Sequence, residues 1–368
     1  MDIVQPTIVI NKERALRNIK RMADKARKSG VRLRPHFKTH QSATVGEWFR
    51  SQGINAITVS SVDMAHYFAD HGWNDITIAF PANIREIKKL RDIAEKITLN
   101  LLVESKETIH FLQEHLESPV NTWIKVDVGY KRTGIPFTEI DKVVELAKII
   151  DETDNCSVSG LLTHAGHSYQ AKSIGEIIAI HHDTVARMNH LKDVLETSGF
   201  QIQISIGDTP TCSIVDDFSG VDEIRPGNFV FYDLMQLSLG SCSEEDIAIA
   251  VACPVVAKHD ERKEFVIYGG AVHFSKDYLV QEDGTRNYGI MTNITMNGWG
   301  PLFKNNYVSS VSQEHGIVKA SENLIGKLKI GSLVAIVPVH SCLTVNLLKN
   351  SIKYDEEIVQ DWDELITG

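Results

Sequence analysis

A lysine near the amino terminus is the first residue of this chain whose surroundings indicate chemistry. Lys38 lies in the sequence Arg-Pro-His-Phe-Lys-Thr-His, which spans positions 34–40 and overlaps the end of the apolar run 31–35. A lysine that closes a buried strand lies among apolar side chains, and Arg34 and His36 add neighbouring positive or ionisable groups. Both effects lower the pKa of the amine and free it to form a Schiff base with a carbonyl group. We therefore interpret Lys38 as a Schiff-base lysine, although most lysines simply reach solvent.

A histidine and a cysteine near the carboxyl terminus form the second candidate. His340 and Cys342 stand at the end of the apolar run 333–339, which is typical of a strand. Residues two apart on a strand face the same side, with Cα atoms roughly 6.5–7 Å apart, so an imidazole and a thiolate can bind one ion. Two protein ligands leave positions for water and substrate, as in a catalytic metal site, and this pair favours Zn²⁺ over harder ions. The pattern is short, and coincidence is the alternative.

Alternating apolar runs and amphipathic stretches predict the elements that position the lysine. Strands that alternate with helices pair in parallel, because the helices cross over between them. Eight such runs within about 230 residues fit a closed (β/α)₈ TIM barrel, and the number of strands makes an open doubly wound sheet less favoured. The runs are residues 31–35, 54–59, 76–80, 98–103, 123–128, 157–162, 202–206 and 229–231.

The pattern changes after residue 239. Helical periodicity fades, β-rich runs follow one another, and pairs such as Asn297-Gly298 are typical of turns. We therefore predict an α/β barrel over residues 11–239, followed by a mostly antiparallel β domain over residues 240–368. The strand within residues 1–10 precedes the barrel and is assigned to the second domain.

Polar residues follow several of the predicted barrel strands. Chemistry in barrels gathers at the carboxyl ends of the strands, because the loops after them converge there. The loops here carry groups able to hold a charged planar ligand, so we expect one site at this end of the barrel. The relevant segments are residues 36–40, 127–134, 163–169, 207–211 and 225–228.

The motif around Lys38 resembles the cofactor-lysine signature of the fold-type III pyridoxal phosphate enzymes. Within them it is most similar to the eukaryotic-type D-serine dehydratases and the D-threonine aldolases. The resemblance extends over nearly the whole chain, and several separated motifs recur in the same order. It implies a barrel of the alanine racemase N-terminal type, a following β domain and a homodimer.

The resemblance also assigns residues to the cofactor. It implies that Lys38 carries pyridoxal 5'-phosphate with His36 beside it, that Arg132 approaches the phenolic oxygen, and that His164 and Tyr169 contact the ring. Two turns are implied to bind the phosphate, which needs converging backbone N–H groups. These turns contain Gly207, Thr209 and Thr211 in one case and Gly227 and Asn228 in the other. The negative charge of Asp208 stands beside the first turn and opposes anion binding there.

The His-x-Cys pair narrows the expected reaction. The resemblance implies that His340 and Cys342 bind zinc, as in D-serine dehydratases, whereas D-threonine aldolases carry His-x-Asp. We therefore predict a pyridoxal phosphate- and Zn²⁺-dependent lyase that converts a D-β-hydroxy amino acid, foremost D-serine, to a keto acid and ammonia. The alternatives are a D-threonine or 3-hydroxyaspartate aldolase, an amino-acid racemase, and a non-catalytic protein that binds pyridoxal phosphate.

Composition excludes other classes of function. The net charge is −10 and no basic cluster is dense enough to suggest a nucleic-acid surface. No apolar run approaches the roughly 20 residues that span a bilayer, and no secretory signal is visible. Five scattered cysteines in a chain of 368 residues suit a reducing compartment. We therefore expect a cytoplasmic enzyme whose partners are a small D-amino acid and a second copy of itself.

Overall fold

The computed structural model describes residues 3–295 and 298–349, which form two compact units. The barrel unit consists of Lys20–Lys38 and Gly46–Gly227, and the β unit consists of Met1–Ile19, Thr39–Val45 and Asn228–Gly368. The domain limits given above, 11–239 and 240–368, stay a prediction. Positions 1, 2, 296, 297 and 350–368 of the predicted second domain, including Asn297 of the predicted turn, lie outside the described residues.

Eight parallel strands form the barrel. Each pairs with its neighbours around the ring, and the first strand also pairs with the second through a bridge between His36 and Thr58. The (β/α)₈ prediction is therefore confirmed. In chain order the barrel strands are Arg32–Leu33, Ile57–Val59, Asp75–Pro81, Thr98–Val103, Val120–Asp127, Cys156–Leu162, Gln203–Ile206 and Glu223–Ile224, and the short strand Ile135–Pro136 pairs with the fifth.

The helices between these strands begin where polar side chains cap them. Ser61, Ser105 and Ser173 each accept a hydrogen bond from the backbone N–H three residues later, which satisfies a group that the helix itself leaves unpaired. The helices up to the last barrel strand are Lys12–Lys28, Ala43–Arg50, Val62–Asp70, Ile87–Ala94, Lys106–His115, Ile140–Asp151, Ile174–Thr197 and Thr209–Ile214, with 3₁₀ turns at Ile84–Glu86 and Gly166–Gln170.

The last barrel strand is not where the sequence places it. We expect it at residues 229–231, but the structure has Glu223–Ile224 in this position and a 3₁₀ turn at Asn228–Val230. Phe229 and Phe231 are completely buried in that turn. A short apolar run does not distinguish a buried strand from a buried turn by periodicity, so this prediction is wrong.

A buried ion-pair network joins three strands of the barrel. Arg34 directly follows the first strand, and its Nε lies 2.6 Å from Glu223 Oε2 in the eighth strand. Its Nη1 lies 2.6 Å from Asp75 Oδ1 at the start of the third strand. Arg34 and Glu223 are almost fully buried, so each needs the other to offset the loss of water.

The β unit is built around a ring of antiparallel strands. Leu333–Pro338 pairs with both Gly289–Thr292 and Ile249–His259, which closes the sheet on itself. The amino-terminal strand Thr7–Ile10 is the outermost strand of this sheet and sets Thr7 opposite Ala252. The remaining sheet strands are Glu264–Tyr268, Tyr307–Val311 and His315–Lys319, and two hairpins join Leu279–Val280 to Arg286–Asn287 and Ile294–Thr295 to Gly298–Trp299.

Short helices complete the β unit. They are Leu234–Ser238, Ala271–Phe274, Glu322–Lys327 and Ser341–Leu348, with 3₁₀ turns at Glu244–Asp246 and Asp260–Arg262 besides the one at Asn228–Val230. Within residues 3–295 and 298–349, none of the helices is long and apolar enough to cross a membrane.

Candidate active site

An aromatic anchor sets the direction of the lysine segment. Phe37 is completely buried, and its ring lies 4.9–5.0 Å from the ring centroids of Phe49, Phe68 and Trp73. His36 donates its backbone N–H to the carbonyl oxygen of Pro226 (2.9 Å), beyond the eighth strand. Phe37 therefore fixes the backbone between His36 and Lys38. The structure differs from the sequence analysis in one respect, because the side chain of Lys38 is exposed and is not enclosed by apolar groups.

Two half-buried histidines of the barrel unit stay uncharged at neutral pH. Burial lowers the pKa of His36 well below its usual value, and the charges of Lys38 and Arg225 lower it further. Burial and Lys38 have the same effect on the pKa of His164. His164 Nδ1 donates to the carbonyl oxygen of Gly207 at 2.6 Å, which fixes the tautomer and leaves Nε2 as an acceptor.

Two buried cations were given no role in the sequence analysis. Burial lowers the pKa of Lys125 to about 7, with Arg225 and Arg132 contributing, and its ammonium donates to the carbonyl oxygen of Val126. Arg225 Nε donates to Ser205 Oγ at 2.7 Å. Signals for both exist in the sequence, since Lys125 interrupts the apolar run 123–128 and Arg225 lies in the polar segment 225–228. Together with Lys38 and Arg132 they make this part of the barrel strongly positive.

The first predicted phosphate turn requires glycine at its start. A Cβ atom on Gly207 would lie 2.6 Å from the backbone nitrogen of Arg225, closer than real atoms approach. The backbone N–H of Thr209 donates to the hydroxyl of Tyr169 at 3.3 Å, so the two predicted cofactor loops are joined directly. Glycine is therefore needed here for the close approach of two strand ends.

The carboxylate of Asp208 is hydrogen-bonded within the protein, whereas the sequence led us to expect that its charge would oppose anion binding at this turn. It caps the helix Thr209–Ile214 by accepting from Thr211 N (2.9 Å), and it also accepts from Thr211 Oγ1 (2.9 Å) and Ser168 Oγ (2.7 Å). Burial raises the pKa of the Asp208 carboxyl to about 6. Its charge is thus directed at protein donors.

The side chain of Asn228 lies with the metal motif. Its Nδ2 donates to Asp233 Oδ2 at 2.6 Å and to Ser341 Oγ at 3.0 Å, and it lies 3.7 Å from Cys342 Sγ. The Nδ2 group of Asn228 is therefore directed at the metal motif and not at the predicted phosphate turn.

The metal motif is not an extended strand. The strand Leu333–Pro338 ends before it, His340 precedes the helix Ser341–Leu348, and Cys342 is the second residue of that helix. The helix begins here because Asp233 Oδ2 accepts a hydrogen bond from the backbone N–H of Ser341 at 2.8 Å. The expectation that His340 and Cys342 share one face of a strand is therefore wrong, although the two side chains do interact.

The imidazole of His340 has a partner that the sequence does not reveal. His340 Nδ1 lies 2.8 Å from Asp277 Oδ2. Burial alone would lower the pKa of His340, but Asp277 and Cys342 outweigh it and raise the pKa to about 10. Cys342 is buried, with its Sγ 3.2 Å from Thr39 Oγ1.

The donor set fits a metal bound by two protein ligands. Across the part of the chain that the structure describes, no three His, Cys, Asp or Glu residues cluster so as to hold a metal ion. His340 and Cys342 supply one imidazole and one thiol, and Asp277 holds the far side of the imidazole. A histidine that binds a metal usually donates its other N–H to a carboxylate in this way.

The barrel unit likewise fits pyridoxal phosphate. A Schiff-base lysine, neutral imidazoles and buried cations suit an aromatic aldehyde that carries a phosphate dianion. The glycine at the start of the phosphate turn leaves room for close backbone approach.

Comparison with known families and proteins gives consistent matches along the chain. The family model described as the alanine racemase N-terminal domain matches residues 10–234, and a model of a serine dehydratase domain matches residues 248–352. A D-serine dehydratase of Dictyostelium discoideum is 26% identical and covers 97% of this chain and 95% of its own length. A D-threo-3-hydroxyaspartate dehydratase of Delftia sp. strain HT23 is 27% identical, with 92% and 91% covered.

Solved structures extend these similarities. That of the Delftia dehydratase has a TM-score of 0.87 at 26% identity and covers 94% of this chain and 93% of its own. Its solved variants include a histidine-to-alanine form and, two residues further along, a cysteine-to-alanine form that is metal-free. A 3-hydroxy-D-aspartate aldolase of Paracoccus denitrificans is also similar, at 23% identity over 94% of this chain and 87% of its own.

The barrel, the lysine segment and the two family models lead to one assignment. The first model alone spans more than half of the 368 residues. The chain belongs to the alanine racemase N-terminal domain family, in the group of fold-type III pyridoxal phosphate enzymes that contains the D-serine dehydratases and D-threonine aldolases.

Proposed function

We propose that this protein is a pyridoxal phosphate- and zinc-dependent dehydratase that eliminates water from a D-β-hydroxy amino acid, with D-serine as the leading substrate. The observation that carries the proposal is the imidazole–thiol pair of His340 and Cys342, with the imidazole held by Asp277. A racemase needs a base on each face of the Cα atom and has no use for such a pair. The relatives named dehydratases support elimination.

The residues of the barrel unit bind the cofactor and move the proton. When bound, pyridoxal phosphate withdraws electrons from the Cα atom of the substrate. Lys38 would hold the cofactor through Nζ, and the same atom, once free, would accept the α-proton as a general base. His36 and His164 are uncharged, so they add no further positive charge beside Lys38. Arg132 and the turn from Gly207 to Thr211 bind the anionic groups of the cofactor.

The residues of the β unit bind the metal. His340 presents Nε2, because its Nδ1 is held by Asp277, and Cys342 supplies a thiolate. Bound Zn²⁺ acts as a Lewis acid that helps the β-hydroxyl group to leave. The substituted histidine and cysteine of the Delftia dehydratase have the same spacing as His340 and Cys342, and loss of that cysteine accompanies a metal-free form.

A panel of amino acids, with both enantiomers of each, tests the reaction. We expect keto acid and ammonia from D-serine or D-3-hydroxyaspartate, formed only when Zn²⁺ is present. Glycine and an aldehyde would instead establish the aldolase, which the Paracoccus relative makes the second candidate. Equal turnover of both enantiomers without net elimination would establish a racemase.

Replacing the lysine tests the cofactor assignment. Lys38→Ala should lose the visible absorbance of the bound cofactor and lower turnover by at least about 10²–10⁴-fold, because it removes both the covalent link and the general base. Lys142→Ala is the matched control, since Lys142 lies exposed in the same unit and pairs with Glu139. Retained absorbance and turnover in Lys38→Ala would contradict the assignment.

We also propose a cytoplasmic homodimer whose β domain begins near residue 240. All five cysteines are free thiols, in keeping with a reducing compartment. Light scattering should give a particle of twice the 41.1 kDa chain mass; a monomer at working concentration would contradict this part.

A further inference from the structure

The contact between Asp277 and His340 has a clear chemical direction. A carboxylate oxygen only accepts, so His340 Nδ1 at 2.8 Å carries the hydrogen. With Nδ1 committed to Asp277, Nε2 is the ring nitrogen that a metal ion can take, in place of the proton there. We propose that Asp277 is a positioning residue for the metal, which fixes the ring of His340 and aims Nε2 at the ion. This inference rests on the proposed function.

The backbone presents the Asp277 carboxylate in a fixed place. The backbone N–H of Asp277 donates to Ser275 Oγ at 3.1 Å. Ser275 ends the helix Ala271–Phe274 with φ of +71°, which is rare for a residue other than glycine and reverses the chain sharply. That helix packs against the helix Ser341–Leu348, which His340 precedes. The carboxylate thus follows one helix and the imidazole precedes another, and these two helices pack against each other in the same unit.

Asp277 is placed behind the ligand and is not a ligand itself. Its Oδ2 is taken by the imidazole, and the described residues include no cluster of three metal-binding side chains. A carboxylate in this place also makes the imidazole more basic towards a metal. Loss of such a partner typically lowers metal affinity by about 10–100-fold.

The test measures Zn²⁺ affinity in the full chain loaded with pyridoxal phosphate. Competition with a chromophoric chelator should show Asp277→Ala to bind Zn²⁺ about 10–100-fold more weakly than the wild type. Asp277→Asn keeps an oxygen that accepts from Nδ1–H, so it should recover part of the loss. Asp283→Ala is the matched control, because Asp283 lies in a turn of the same unit and bonds only to Thr285 among the contacts described.

Two further readouts separate positioning from general damage. The visible absorbance of the cofactor should be the same in all four proteins. Turnover by Asp277→Ala should return when Zn²⁺ is raised to saturation, which a misfolded protein would not show. If Asp277→Ala does not fold, the Zn²⁺ affinity of Asp277→Asn tests the positioning role, and an affinity equal to that of the wild type would contradict it.

The outcomes distinguish this inference from the proposed function. Tight Zn²⁺ binding by the wild type together with equal binding by Asp277→Ala would overturn the positioning role and leave the dehydratase proposal intact. A wild type that binds no Zn²⁺ would overturn both. Weaker binding by Asp277→Ala with partial recovery in Asp277→Asn supports the inference.

Discussion

The two half-buried histidines of the barrel unit couple its stability to pH. Burial lowers the pKa of His36 and His164 far below 6.5, so the folded protein keeps both neutral while the unfolded chain protonates them. The folded state binds fewer protons below the unfolded pKa. Their contribution to stability is therefore present above pH 6.5 and is lost as the pH falls below it.

The contribution of Asp208 to stability has the opposite dependence on pH, and this can be tested. Its folded pKa is raised from 3.8 to about 6, so between these values the folded state keeps a proton that the unfolded chain has released. Stability from this group therefore falls as pH rises through that window. Relative to wild type, Asp208→Asn should gain up to about 3 kcal/mol between pH 4 and pH 7. Urea unfolding at pH 4, 5, 6 and 7 measures the difference.

The control for Asp208 is another aspartate. Asp283→Asn should show no comparable gain between pH 4 and pH 7, because hydrogen bonds from Thr285 lower the pKa of Asp283 and its stability therefore changes mainly below this range. Parallel stability curves for Asp208→Asn and wild type would contradict the prediction.

At this scale the sequence identifies residues that lie in local motifs and misses those that depend on distant contacts. Lys38, His36 and His164 could be named because each stands in a recognisable segment after a predicted strand. Asp277 is 63 residues from His340, and nothing near it in the sequence indicates a partner. Arg225 was passed over because the eighth strand was placed after it.

Two very short strands complete the ring of the barrel. The first and eighth strands pair only through Arg32 with Glu223 and Leu33 with Ile224. So short a ladder contributes few hydrogen bonds, and the buried contacts of Arg34 with Glu223 and Asp75 supplement it.

Removing Arg34 should therefore destabilise the barrel strongly. Arg34→Ala leaves Glu223 buried without its partner, and breaking such a pair typically costs about 3–5 kcal/mol. The control Arg262→Ala removes an exposed pair with Glu264, which is typically worth about 0–1 kcal/mol. Urea unfolding of both variants makes the comparison, and losses of equal size would show that the buried network does not stabilise the barrel.

The boundaries of a helix or strand can be predicted from the sequence where residues next to them set those boundaries. The helix Lys106–His115 begins directly after Ser105, whose side chain caps it. The helix Ser341–Leu348 was taken for the end of a strand, because its start is set by Asp233, 108 residues away. Its apolar residues continue the preceding run, so hydrophobicity shows no break there.

The proposed cofactor lysine and the proposed metal ligands belong to different units of the chain. Lys38 belongs to the barrel unit, and His340 and Cys342 belong to the β unit. The sequence suggests two consecutive domains. Residues 39–45 follow the first barrel strand, but they belong to the β unit. The residue composition of this segment does not differ from that of its neighbours, so its assignment to the β unit could not be predicted from the sequence.

This division gives a prediction for the whole enzyme. Exhaustive chelation should abolish dehydration and leave the visible absorbance of pyridoxal phosphate, because the metal ligands lie outside the barrel unit. Lys38→Ala should conversely keep its Zn²⁺. Elemental analysis measures the loss of zinc, and absorbance measures the loss of pyridoxal phosphate. Zn²⁺ should reactivate the chelated enzyme, and added Mg²⁺ is the control. Full activity after complete metal removal would contradict the role of zinc.

The amino-terminal strand has a consequence for the order in which the chain folds. Thr7 pairs with Ala252, so this strand is synthesised more than 200 residues before its partner. At about 5–20 residues per second, roughly 10–50 s of synthesis separate the two. The barrel strands, which all lie between them, are complete by then. During that time Thr7–Ile10 lacks its partner strand, and its unpaired backbone groups are open to pairing with another chain.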